Sequence, residues 1–202
     1  MKTYEYAEDP NPEARSHPWV DAVGNPNARY YDLKRQPERI RSSLEDFRPW
    51  QRYAAVEDFY QLLERINHPK SALESNDCAF IGAEQNEDGS VQKALQCSGR
   101  LMVLFRTLTR NTAGSDIERL KDQLHVELAE LDPEFDAGVV GTNIVPVRYL
   151  ELPEADGQQL GTQLMICFWS WGDSEAETML NLARLMKNLS RALRRVSARA
   201  AA

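Results

Sequence analysis

Three histidines, His17, His68 and His125, are the side chains of this chain that titrate nearest neutrality, so a general base or a zinc centre has to draw on them. His125 has the most suggestive surroundings, because Glu127, Glu130, Asp132, Glu134 and Asp136 follow it around Pro133. A pocket built on His125 and the 127–136 carboxylates would belong to a small-ligand binder or a hydrolytic enzyme. Positions i and i+2 of a helix face different sides, however, and no second histidine stands at i+4, so a solvated acidic helix end is the expectation. His68, between Asn67 and Pro69, suits a helix C-terminus, where its ring faces the negative end of the dipole. Gly172-Asp173-Ser174 sits where an activated serine nucleophile could sit, between a strand and a helix. Only 28 residues follow Ser174 and none is histidine, so Ser174 is expected to be an N-cap.

Gly138-x-x-Gly141 lacks the Lys-Ser/Thr or third glycine of a phosphate-binding loop. Cys78, Cys97 and Cys167 share no CxxC, are odd in number and fall in expected strands. They fit buried, reduced thiols of a cytoplasmic protein better than a disulfide frame. No cofactor and no metal is expected.

The stronger signals are surfaces. Trp169 and Trp171, at i and i+2 of an expected strand, share one face with Met165 and form either core or a partner platform opposite the helices. Trp19 and Tyr30 are the large aromatics that could cover that face or extend it. After Glu177 the chain carries Arg184, Lys187, Arg191, Arg194, Arg195 and Arg199 and no acid, a local +6 that leaves −13 on everything before it, since the whole chain is −7. Arg184, Lys187, Arg191, Arg194 and Arg195 recur at three and four, one stripe opposite a leucine face. Such a stripe suits an acidic partner, including a second copy of the chain. Nucleic acid fits less well, because the acidic body repels phosphate and no aromatics interleave the arginines.

Residues 1–36 hold four of the ten prolines but also Trp19, Val20, Val23, Tyr30, Tyr31 and Leu33, an extended arm that packs on something. From residue 37 on a single domain is expected. A helix begins near Pro37, breaks around Arg48-Pro49 and resumes to Asn67 on Tyr53, Val56, Phe59, Tyr60, Leu63 and Ile66. Three strands follow over 77–109, with a tight turn at Asn86–Gly89 and a break at Ser98-Gly99. Ser115-Asp-Ile-Glu118 and Ser174-Glu-Ala-Glu177 read as capping boxes of two later helices. Between them lie strands over 138–152, with Pro146 marking an edge or bulge, and over 160–171, joined by a turn at Asp156-Gly157.

The expected fold is therefore α+β: an antiparallel sheet of about five strands with helices on one face, in the order α-β-β-β-α-β-β-α, behind the proline-rich arm. A length of 202 residues, with 42% hydrophobic and 27% charged, supports a core without metal or disulfide staples and excludes a wholly disordered chain. The longest apolar run, 160–171, is too short and interrupted to span a membrane, and the start MKTYEYAEDP has no apolar signal region. Over residues 50–197 this element order, with the acidity and small size, resembles that of the type III secretion chaperones. That resemblance implies a dimer that binds extended segments of other proteins. The functional expectation is a non-catalytic protein-binding module of the secretion-chaperone, adaptor or toxin-immunity type.

Overall fold

The computed structural model describes residues 1–5, 16–18, 31–153 and 159–201. In chain order its elements are strands β1 (Lys2–Glu5) and β2 (Ser16–His17), helix α1 (Arg39–Ser43), a 3-10 helix over Glu45–Trp50, and helix α2 (Ala54–Ile66). Strands β3 (Leu73–Gln85) and β4 (Leu95–Phe105) follow, then a short 3-10 turn at Leu108–Asn111 and helix α3 (Ser115–Leu131). Strands β5 (Gly138–Tyr149) and β6 (Leu160–Gly172) and helix α4 (Glu175–Ala201) complete the fold.

The period-2 pattern of β6 explains its central place. Leu164, Ile166 and Phe168 turn into the main core, while Met165 and Cys167, with Trp169 against them, form a smaller cluster on the other face. β5 and β4 flank β6 antiparallel, and β3 lies antiparallel outside β4. On the main face the apolar stripes of α2, α3 and α4 cover the sheet. Stacked rings tie that layer together: Phe47 lies 4.7 Å from Phe59 and 4.8 Å from Phe80, and Phe59 lies 5.9 Å from Phe168.

The α+β class and the helix-covered sheet agree with the sequence expectation, but two features differ. The sheet is mixed and six-stranded rather than antiparallel and five-stranded. β1 and β2 both run parallel to β5 along its outer side, at 139–142 and 148–149. At four and two residues they are too short to show an alternation. Among the described residues nothing pairs with 143–147 of β5 on that side, which is where Pro146 is tolerated.

The second difference is that two strands, not three, stand between α2 and α3, so the expected order α-β-β-β-α-β-β-α is corrected. Residues 91–94 belong to a loop, because the Asn86 amide donates to the carbonyls of Val91 (3.0 Å) and Lys93 (2.9 Å) and Asp88 accepts from the Ser90 backbone. β4 then runs unbroken through Ser98-Gly99. Gly99 is where two groups approach: a Cβ there would lie 2.4 Å from the Phe168 ring and 2.6 Å from the Ala79 carbonyl.

The capping boxes divide. Ser174 accepts from the Glu177 amide at 3.2 Å, and the Glu177 carboxylate accepts from the Asp173 amide at 2.9 Å, one residue earlier than the simple motif. At α3 the N-cap is Gly114, in the left-handed region at φ 59°, with no side-chain cap, and Ser115 is already helical. Cys78, Cys97 and Cys167 lie in β3, β4 and β6, and burial pushes the Cys97 thiol up to about 12. The Asp156-Gly157 turn lies outside the described residues. Among those described, no helix is long and apolar enough to cross a membrane.

Candidate functional site

The basic stripe of α4 turns out to be divided between the chain's own acids and solvent. Arg184 grips Asp132 with two hydrogen bonds of 2.7 Å, and this guanidinium holds the Asp132 carboxyl down at about 2. Lys187 stands 3.7 Å from Asp58, an ion pair too long to be a hydrogen bond. Arg195 and Arg199 both close on Glu127, which is covered by them although both are half exposed. Arg191 and Arg194 remain, with no ion pair among the described residues. The helix therefore clamps α2 and α3 through four of its cations and presents two.

Those two face different fates. Arg191 points to solvent, whereas Arg194 lines a cleft of about 440 Å³ between the end of α2 and the last turns of α4.

The second concavity lies on the sheet face away from the helices, a groove of about 590 Å³. The strand register builds it. Trp169 and Trp171 alternate with buried Ser170 on β6, Val139 pairs with Trp169 from β5, and Lys2 and Tyr4 stand beside Val139 and Gly141 from β1. The Tyr4 and Trp169 rings are 5.9 Å apart and tilted by 32°. Gly141 makes room for them, since a Cβ there would lie 3.0 Å from the Tyr4 ring and 3.2 Å from Trp169. Asp88 and Val91 of the 86–94 loop and Asp136 close the rim. Trp171 is 8% exposed, and its indole Nε1 is buried without a hydrogen-bond partner. A buried donor left unpaired costs about 1–3 kcal/mol. Trp19 and Tyr30 lie outside the described residues.

His125, Glu127 and Asp132 make contacts within the fold. His125 Nε2 lies 2.6 Å from the Thr142 hydroxyl, and burial, with Lys121 nearby, pushes its pKa down. Glu127 turns away to the arginines of α4, as does Asp132. Among the described residues no group of three or more His, Cys, Asp or Glu stands ready to hold a metal ion.

One constellation had no sequence signal. His17 Nε2 lies 2.9 Å from Glu74, and Lys34 lies 2.9 Å from the same carboxylate, with His17 and Glu74 2% and 1% exposed. Burial opposes the Glu74 charge, and the bonds from His17 and Lys34 outweigh it, so the carboxyl sits below its ordinary range. Next to it the Asn76 amide donates to the Ser16 carbonyl and to Gln163, both at 3.1 Å. Residues 17, 34 and 74 are scattered in sequence, and only the docking of β2 onto the sheet brings them together. The cleft between α2 and α4 was equally invisible, being assembled from residues 62–73 and 190–198.

No family model, no curated protein and no solved structure matches this chain.

Proposed function

We propose that the chain is a non-catalytic protein-binding module that holds an extended segment of a partner protein in the aromatic groove of the sheet face away from the helices. The observation that carries this reading is the buried, unpartnered Trp171 Nε1 in a groove lined by Trp169, Tyr4 and Val139. A peptide carbonyl is the commonest acceptor a protein surface can offer, and tryptophan is the residue most enriched where interfaces concentrate their energy. Mixed charge at the rim, with Lys2 opposite Asp88 and Asp136, suits a polypeptide rather than a polyanion. The contacts that His125, Glu127 and Asp132 make within the fold support this reading over a pocket built on them.

The test is capture from the native cytosol with a photo-crosslinking residue in place of Gln96, which lines the groove. A protein, or a second copy of this chain, is expected in the adduct. Trp171→Phe, which keeps a ring but loses the N–H, and Trp169→Ala should each reduce capture about tenfold or more, the worth of 1–3 kcal/mol. Recovery of no protein, or capture indifferent to both substitutions, would overturn the reading.

A further inference from the structure

The cleft between α2 and α4 has an apolar floor and a cationic rim. Leu62, Ile66, Leu73 and Leu193 form the floor, each at most 4% exposed, with Ala198 at one end. Arg65, His68, Lys70 and Arg194 stand at the rim. The one acid there, Glu64, has its charge taken by Arg41 at 2.8 Å. Arg65 is held across the opening by a 3.1 Å bond to the Ser190 hydroxyl. The Lys70 amide donates to His68 Nδ1 at 3.2 Å. Lys70 and Arg194 have no acidic partner among the described residues. The floor's own hydroxyls are satisfied, since Ser71 accepts from the Leu73 amide and Ser197 from Ala72.

Three permanent cations surround about 440 Å³ of apolar space in a chain whose net charge is −7, and two of them, Lys70 and Arg194, answer no acid among the described residues. The volume falls within the range of small-ligand pockets. We propose that this cleft binds a single-chain anionic amphiphile, with the alkyl chain along Leu62, Ile66 and Leu193 and a carboxylate between Arg65, Lys70 and Arg194. The ligand is the free monomer rather than a lipid held in a bilayer, because the rim encircles a pocket instead of forming the flat basic face that a membrane surface meets.

Calorimetric titration with dodecanoate below its micelle concentration tests this on the whole chain. Saturable one-to-one binding is expected, weakening about fourfold for each methylene removed. Dodecyltrimethylammonium, with the same chain and the opposite charge, should bind at least tenfold more weakly. Arg194→Glu should weaken dodecanoate at least tenfold, and Ala198→Trp, an exposed position filling one end, should abolish binding. Both variants should keep the wild-type thermal midpoint, and Trp171→Phe should leave the titration unchanged. No binding of dodecanoate, equal binding of the cationic amphiphile, or binding that survives both cleft variants would overturn the proposal. So would recruitment to phosphatidylglycerol vesicles without binding of the monomer.

Discussion

A carboxylate buried to 1% exposure is expensive unless partners reach it, and Glu74 is reached by the Lys34 ammonium and the His17 ring. Removing the carboxylate strands His17 beneath the surface, so Glu74→Ala should lower the unfolding free energy by about 3–5 kcal/mol, read from urea melts. Glu127 makes an instructive contrast, because the arginines that cover it are themselves half exposed and can return to water. Glu127→Ala should therefore cost only about 1–2 kcal/mol. The pH dependence follows from the same two kinds of site. Glu74 and Asp132 both have carboxyls lowered by folding, so their contribution is complete above the unfolded values near pH 4 and is lost as pH falls through the folded ones. For Asp132 that window runs from about 4 to about 2, and Asp132→Asn should flatten the fall in stability there while changing little in its slope near pH 6.

At the scale of elements, two serines in the same sequence pattern separate a motif from its function. Ser174→Ala removes a real cap and should cost about 1 kcal/mol, whereas Ser115→Ala, at a helical position with no capping bond, should cost close to nothing. Gly99→Ala would push a methyl into the Phe168 ring and the Ala79 carbonyl and should destabilise by about 1–3 kcal/mol. That glycine also explains the misplaced strand break. A Ser-Gly pair looks alike whether it ends a strand or admits a neighbouring ring, and the neighbour here is 69 residues away in sequence. The helices and β6 could be read from periodicity because their faces are set by local spacing. β1, β2 and the cleft could not, because each exists through pairing with a distant segment. Trp169 and Trp171 were found as a pair from their i, i+2 spacing, but Tyr4, Lys2 and Val139 beside them were not.

Over the whole molecule, the charge separation in the sequence becomes an internal clasp. The −13 body and the +6 helix meet within one chain through Asp58, Glu127 and Asp132, and only the remainder faces outward. Charge reversal should expose the division: Arg195→Glu with Arg199→Glu should lower the thermal midpoint by several degrees, while Arg191→Glu with Arg194→Glu should leave it unchanged. Differential scanning calorimetry at low and high salt decides it, because only the first pair should show a salt-sensitive loss.

The strand order β1-β5-β6-β4-β3 carries a consequence for synthesis on the ribosome. The β3–β4 hairpin emerges early with the inner edge of β4 bare, and β5 emerges later with only the short β1 and β2 to line its far edge. The strand that joins them, β6, leaves the exit tunnel only just ahead of α4. Throughout that interval Leu101, Val103 and Val140 face water on unpaired edges that any neighbouring nascent chain could zip onto. A ribosome stalled before residue 160 would thus release an adhesive half-sheet, and the protein's yield in cells should depend on how quickly its final forty residues are translated.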